Sequence, residues 1–168
     1  MRIWFDTEFY EDGERIKLIS IGAVREDGAI YYAETTYGAQ IASVTPWLKA
    51  NVWPHLQHGE AVKERATIAA DLIEFAGENP EFWAYYADYD WVTLCQLYGT
   101  MMDLPTGWPM YCRDLKQRLD ESGNLQSPIR QSGEHHALSD ALWAWDTWEW
   151  LHRHMNGLVH PLQRDGKA

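Results

Sequence analysis

Two carboxylates separated by a single residue follow the first apolar run of the chain. Asp6 and Glu8 come directly after Ile3-Trp4-Phe5, a run typical of a strand. Alternate residues of a strand point to the same face, so both carboxylates would project together, roughly 6–7 Å apart. Acidic groups this close repel each other unless a cation lies between them, and oxygen ligands suit Mg²⁺ or Mn²⁺. The alternative interpretation is a solvated acidic loop.

A second acidic pair lies between a predicted strand and a predicted helix. Asp88 and Asp90 follow the apolar and aromatic stretch 82–86, and a helix is predicted at 90–98. Loops at strand ends are common places for sites in α/β proteins. Either carboxylate can therefore belong to a site, although Asp90 is equally well placed to cap the helix.

A third signal combines histidine with an acidic residue. His135 and Asp140 stand where a loop containing Gly133 leads into a long predicted helix. On one continuous helix, five steps of about 100° would place them on different faces. With His135 in the loop and Asp140 in the second turn, both can reach one site. The alternatives are a polar loop and an acidic residue that favours the helix N-terminus.

These groups fit one kind of chemistry if their elements meet at one edge of a sheet. Phosphodiester hydrolysis with two divalent ions needs several carboxylates that hold the ions about 4 Å apart. One ion activates water and the other stabilises the leaving oxygen. A histidine that titrates near neutral pH can take the proton from the attacking water.

The elements that must position these groups indicate a mixed α/β fold. Three consecutive strands with tight turns between them predict an antiparallel meander, and alternating helices and strands follow it. The predicted strands are 1–5, 16–24, 29–34, 82–86 and 109–112; the predicted helices are 46–52 with Thr45 as its N-cap, 62–76, 90–98, 114–121 and 137–154.

Composition bounds the class of protein. The 168 residues suit one domain, which we expect to span 1–158, with a frayed tail at 159–168. A net charge of −11 argues against broad binding of long duplexes, but a short grip on a chain end needs few phosphate contacts. Neither a membrane-length apolar run nor a signal peptide is evident, and Cys95 and Cys112 have no metal-ligand spacing. We therefore expect a cytoplasmic protein with no membrane partner.

Three motifs resemble those of the DEDDh 3′–5′ exonucleases. They are Phe5-Asp6-Thr7-Glu8-Phe9, Tyr89-Asp90 before a helix, and His135-x4-Asp140. The chain is most similar to the ribonuclease AS branch, actinobacterial exoribonucleases that prefer poly(A). That similarity runs from Met1 to about Trp145 and includes Glu11-Asp12-Gly13, Leu18-Ile19-Ser20-Ile21-Gly22 and Leu94-Cys95-Gln96-Leu97.

The resemblance implies a fold, a cofactor and a set of roles. The fold would be ribonuclease H-like: a mixed five-stranded sheet, its first three strands antiparallel, with helices on both faces. Two Mg²⁺ ions, replaceable by Mn²⁺, would be held by four carboxylates, and His135 would be the general base, favoured over His136 by motif spacing. A homodimer is also implied. The four carboxylates are Asp6, Glu8, Asp90 and Asp140.

The chain departs from the pattern at one point. Many DEDDh members carry His-Asn before the aromatic-Asp pair of the second motif, whereas Tyr85-Tyr86 stands in that region here. Any contact made by that asparagine is therefore missing or replaced.

Candidate substrate contacts are fewer and less specific. The backbone N–H of Thr7 could meet a terminal sugar hydroxyl, and Phe9 could lie beside the terminal base or belong to the core. Arg113, with Lys116 and Arg118, forms the densest basic cluster and could follow the RNA backbone or be a solvated helix face.

The expected activity is 3′–5′ hydrolysis of single-stranded, adenylate-rich RNA, releasing nucleoside 5′-monophosphates. One alternative keeps the chemistry and changes the substrate to DNA ends or very short oligoribonucleotides. Another is a non-catalytic nucleic-acid-binding module on the same fold.

Overall fold

A long central strand organises the sheet. The computed structural model describes residues 1–159, and in this range β1 (Arg2–Glu11) pairs antiparallel with β2 (Ile16–Arg25), which pairs antiparallel with β3 (Ile30–Thr35). The other edge of β1 pairs in parallel with β5 (Glu81–Ala84). Two-residue strands, β4 (Val62–Lys63) beside β3 and β6 (Arg113–Asp114) beside β5, complete the order β4-β3-β2-β1-β5-β6.

Helices cover both faces of this sheet. Ile3 and Phe5 of β1 pack in one cluster with side chains of α3 and α4, whereas Trp4 packs on the opposite face with α5 and α6. The side chains of β1 alternate between the two clusters because successive residues of a strand point to opposite faces of the sheet. The helices are α1 (Gly38–Ala42), α2 (Pro46–Asn51), α3 (Arg65–Ala76), α4 (Asp88–Tyr98), α5 (Leu115–Glu121) and α6 (Ala137–Val159).

The predicted fold class is confirmed, with one additional strand. The meander forms as expected because its turns are locally encoded: Asp12 Oδ1 accepts hydrogen bonds from the backbone N–H groups of Glu14 (3.0 Å) and Arg15 (2.8 Å). The additional strand is β4, which forms where a helix had been predicted to begin. Val62 and Lys63 instead pair with the free edge of β3, and α3 starts only after the extended residue Glu64.

Other boundaries also differ from the prediction: the strand expected at 82–86 ends at Ala84, and the helix expected at 90–98 begins at Asp88. The strand expected at 109–112 forms at Arg113–Asp114 instead, and Pro109, which has no N–H to donate, lies outside it. Strand β1 does not end at Phe5 but continues through Glu11. Asp6 and Glu8 therefore lie within a hydrogen-bonded strand rather than in a loop, which fixes their directions.

A β-bulge interrupts the pairing of β1 and β2 beside these carboxylates. Glu8 lies opposite Ser20 but Phe9 lies opposite Leu18, so Ile19 has no partner. The extra residue in β2 reverses which of its side chains point to each face of the sheet. Leu18 and Ile21 consequently share one core, while Ile19 packs with Leu48 of α2 in another.

Gly22 allows α6 to begin directly on the sheet. It lies opposite Asp6, and a Cβ atom at this position would be 2.2 Å from the backbone nitrogen of Leu138. Only glycine leaves room for this approach. The first turns of α6 are thereby held against β2, beside the carboxylates of β1.

The last helix extends beyond its predicted end. Helix α6 was expected to stop at His154 but continues to Val159. The rest of the proposed tail, 160–168, lies outside the described residues. No helix within 1–159 is both long and apolar enough to cross a membrane.

Candidate active site

Three carboxylates from two elements converge on one point. Asp6 and Glu8 come from β1, and Asp140 comes from the first turn of α6, one turn earlier than the sequence had suggested. One oxygen from each lies within 4.8 Å of the others. The alternation of β1 turns Asp6 and Glu8 toward the face on which α6 packs, and Gly22 lets α6 deliver Asp140 to the same place.

The fourth predicted ligand is held beside this cluster by Thr7. Asp90 is buried in the first turn of α4, and its Oδ1 accepts hydrogen bonds from the Thr7 backbone N–H (2.8 Å) and the Thr7 hydroxyl (2.6 Å). The alternative acid, Asp88, is exposed. Asp90 therefore does not act as a side-chain cap, and Thr7 fixes its carboxylate at the edge of the cluster.

The electrostatics of the cluster favour a bound cation. Burial raises the pKa of Asp6 well above its usual range, and repulsion from Asp90, Glu8 and Asp140 adds to the effect. Burial, followed by Asp140 and Asp90, raises the pKa of Glu8 to about 8. Burial likewise raises the pKa of Asp90 to about 7, despite its bonds from Thr7.

Asp140 has a similar but more polar setting. Burial raises its pKa, while hydrogen bonds from the Gln131 side chain to Oδ1 (2.8 Å) and from the His135 backbone N–H to Oδ2 (2.9 Å) oppose the rise. Within residues 1–159, neither arginine nor lysine forms an ion pair with any of the four carboxylates. An oxygen-only, strongly anionic donor set of this kind fits hard divalent ions.

The two adjacent histidines have different surroundings. His135 lines the same pocket as the carboxylates, in a left-handed backbone conformation (φ 66°) tied to Asp140, and its ring meets Trp47 edge-on at 4.9 Å. His136 points elsewhere. Its ring stacks on Tyr32 (4.8 Å), its Nδ1 lies 3.3 Å from the Ser139 backbone N–H at the start of α6, and burial lowers its pKa.

Aromatic side chains form the wall of the pocket. The pocket has a volume of about 280 Å³, and Phe9 stacks on Tyr89 across its rim, with ring centroids 5.5 Å apart and planes 6° apart. Tyr85 and Tyr86 line it as well. Phe9 is therefore placed beside the carboxylates, where the sequence had left its location open.

The other predicted substrate contacts lie differently. The Thr7 N–H is directed to Asp90, so it has a protein partner in this structure. Arg113 pairs with Glu81 (3.3 Å) and lines a separate cleft of about 490 Å³, which it shares with Arg2 and Arg118. A contact of Arg113 with substrate stays a prediction, and it would concern RNA outside the carboxylate pocket.

Sequence reasoning did not find several residues of the site. Gln131 has no motif to mark it, since its role depends on a loop folding back onto Asp140. Gly22 had been noted only as part of a family-like stretch. Tyr86 had been noted as a departure from His-Asn, and that departure was the available signal for its place in the pocket.

Solved exonucleases share this fold. E. coli exonuclease I in a zinc-bound complex with single-stranded DNA aligns with a TM-score of 0.63 and 12% identity, covering 96% of this chain and 42% of that one. Its complex with a dT13 oligonucleotide gives a TM-score of 0.62 and 12% identity, covering 96% and 43%. The fold is thus that of the ribonuclease H-like exonucleases, and this chain spans under half the length of exonuclease I.

Sequence comparison narrows the class. A family model described as a 3′-5′ exoribonuclease Rv2179c-like domain matches residues 1–151. The 3′-5′ exoribonuclease Rv2179c of Mycobacterium tuberculosis is 40% identical over 148 residues, covering 84% of this chain and 87% of that protein. The chain belongs to the Rv2179c-like 3′–5′ exoribonuclease family, whose members are hydrolytic nucleases.

Proposed function

We propose that this chain is a 3′–5′ exoribonuclease that shortens single-stranded, adenylate-rich RNA by two-metal-ion hydrolysis and releases nucleoside 5′-monophosphates. The observation that carries the proposal is the meeting of Asp6, Glu8 and Asp140 within 4.8 Å, beside Asp90 and His135 in one pocket. The Rv2179c relative, itself a 3′-5′ exoribonuclease, supports RNA as the substrate. The adenylate preference rests on the resemblance to the ribonuclease AS branch.

Each acidic residue has a defined task in this proposal. Asp6, Glu8, Asp90 and Asp140 would hold two Mg²⁺ ions, and Mn²⁺ would substitute. When bound, these ions supply an activated water and stabilise charge on the leaving oxygen. Thr7 orients Asp90 through two hydrogen bonds, so that this carboxylate need not reorganise when the site fills.

His135 would take the proton from the attacking water at a ring nitrogen. Its backbone is fixed by the bond to Asp140, and its ring is bounded by Trp47. Both contacts limit where the imidazole can move, which is what a general base in a shallow, open pocket requires.

The test is a nuclease assay with matched variants. Purified protein should shorten 5′-labelled oligo(A) when Mg²⁺ or Mn²⁺ is added. Asp90→Asn and His135→Ala should each lower kcat by at least about 100-fold, because removing a ligand or a general base removes transition-state stabilisation. Asp88→Asn is the control, since Asp88 is an exposed acid in the same turn of α4. Equal loss in Asp88→Asn and Asp90→Asn would contradict the assignment.

A substrate panel separates the related activities. Oligo(A), oligo(U), oligo(dA) and adenylate dinucleotides should be degraded in that order of preference if the enzyme is an adenylate-preferring exoribonuclease. Turnover of oligo(dA) faster than that of oligo(A) would indicate a DNA exonuclease. Turnover of dinucleotides faster than that of oligo(A) would indicate an oligoribonuclease. Absence of Mn²⁺ binding by calorimetry would indicate a non-catalytic nucleic-acid-binding module instead.

We also propose that the protein is a homodimer, as the resemblance implies. Four exposed apolar or aromatic side chains near α1 and α2 offer surface that a partner copy could cover: Tyr37, Val44, Trp47 and Trp53. Sedimentation equilibrium at micromolar concentration should give twice the monomer mass. A monomer throughout that range would contradict the proposal.

A further inference from the structure

Tyr86 adopts a backbone conformation that its side chain does not favour. Its φ is +57°, in the left-handed region, where asparagine and glycine are at ease and a bulky aromatic residue is strained. Strain of this kind persists where the surrounding structure enforces it, and it is concentrated at functional sites. The asparagine that many DEDDh exonucleases carry in this region would tolerate the conformation.

Burial of the ring does not compensate for the strain. Tyr86 is 63% exposed, so most of its ring faces solvent. Its aromatic neighbour is Tyr85, which it meets edge-on with ring centroids 4.6 Å apart. The residue is therefore not a core aromatic.

The position of the ring gives it a use. Tyr86 lines the carboxylate pocket together with Asp6 and His135, and it lies two residues beyond the end of β5, the parallel neighbour of β1. The other aromatic pair of the rim, Phe9 and Tyr89, is already stacked face to face. The Tyr86 ring is thus exposed at the mouth of the pocket, and it takes no part in the stack of Phe9 on Tyr89.

We infer that Tyr86 is a base-binding residue: its ring stacks on a nucleobase of the RNA whose scissile phosphate lies at the carboxylates. This inference rests on the proposed function. Stacking tolerates every base but is strongest for the larger purines, so Tyr86 would favour adenylate over uridylate substrates through affinity. It takes no part in proton transfer.

The experiment compares Tyr86→Asn, which suits the backbone and removes the ring, with Tyr86→Phe, which keeps the ring. For oligo(A), Tyr86→Asn should raise KM about tenfold, the loss expected for one stacked base, and change kcat less than about twofold. Its KM for oligo(U) should rise less. Tyr86→Phe should stay close to the unchanged protein. Tyr111→Asn is the control, because Tyr111 is exposed but lies outside the pocket.

A second readout separates binding from folding. Because asparagine accepts a positive φ, the melting temperature of Tyr86→Asn should not fall, and Mn²⁺ affinity by calorimetry should not change. A residue with a merely structural role would lose stability rather than affinity for RNA. An unchanged KM in Tyr86→Asn, or an equal rise in Tyr86→Phe, would overturn the inference while leaving the exoribonuclease proposal standing. A wild-type protein that cleaves no oligonucleotide would instead overturn the proposed function.

Discussion

At the scale of single residues, the clustered carboxylates destabilise the fold when no cation lies between them. Glu8 and Asp90 are buried, Asp6 is half-buried beside them, and the pKa values of all three carboxyl groups are raised. Without a cation, the cluster must either bind protons or accept repulsion between charges. Divalent ions and protons are therefore expected to compete for the same oxygens.

This competition predicts how the stability of the metal-free protein depends on pH. The pKa of Glu8 is about 8 in the folded state against an ordinary value of 4.5, so the folded state holds the proton more tightly. Stability is then lost as pH rises from about 4.5 to about 8. The melting temperature in EDTA should fall across this range, and saturating Mn²⁺ should remove the fall.

Asp6→Asn provides the matched comparison, because it removes one charge and keeps the shape of the side chain. In EDTA its melting temperature should fall less with pH than that of the unchanged protein, and Mn²⁺ should stabilise it less. A metal-free protein whose melting temperature is flat or rises between pH 5 and 8 would argue against a repulsive cluster.

At the scale of elements, the centre depends on how closely α6 approaches β2. The absent Cβ of Gly22 leaves the space that the backbone of Leu138 occupies, and this turn of α6 carries Asp140 and follows His135. Both residues therefore move if the helix moves. A displacement of about 1 Å at a catalytic centre is enough to lower the rate about 100-fold.

Gly22→Ala should accordingly impair catalysis from a position that touches no substrate. The methyl group would push α6 away from the sheet, so we expect kcat to fall at least about 100-fold and stability to fall by about 1–3 kcal/mol. Gly157→Ala is the control, because this glycine lies in the same helix with open space around it. Full activity of Gly22→Ala in the nuclease assay would contradict this account.

The same elements show what the sequence could predict. Local signals gave the meander, the Thr45 cap of α2 and the helix break at Gly99, because each depends on residues close together in the chain. The length of β1 was underestimated, since a strand with two carboxylates looks like a loop until β2 is placed beside it. Strand β4 was missed for a related reason: Val62 and Lys63 become a strand only because β3 offers a free edge.

The residues of the candidate site also divide into those that a local motif predicts and those that only the folded structure brings together. The motifs predicted Asp6, Glu8, Asp140 and Asp90, and the structure brings them together in one pocket. The contacts that aim them, Thr7 to Asp90 and Gln131 to Asp140, join residues distant in sequence and left no local pattern.

At the scale of the whole molecule, the charge limits how the protein can hold RNA. A net charge of −11 repels a polyanion, so under the proposed function the affinity for RNA would come from metal ions at the carboxylates, base stacking and a few phosphate contacts. Each phosphate neutralised on a single strand contributes about −0.7 to the slope of log affinity against log salt. For oligo(A) we expect this slope to be no steeper than about −2, which corresponds to roughly three neutralised phosphates. The slope is measured from KM at KCl concentrations between about 50 and about 200 mM.

Arg113 offers a way to test where those phosphates lie. If the RNA backbone reaches the cleft that Arg113 lines, Arg113→Gln should make the slope shallower by about 0.7, whereas Arg153→Gln, an exposed control on α6, should not. A slope much steeper than −2 in the unchanged protein would indicate an extended backbone path and contradict a short grip.

The order of the clustered carboxylates along the chain also has a consequence during synthesis of the protein. Asp6 and Glu8 precede Asp140 by about 130 residues in the chain, so the oxygens of Asp140 can join theirs only after the start of α6 has been synthesised. A nascent chain that ends before His135 therefore has three of the four carboxylates, but it lacks both His135 and Asp140. If the proposed function holds, such a chain should not degrade RNA, its own messenger RNA included, before Asp140 has been added and α6 has folded onto the sheet.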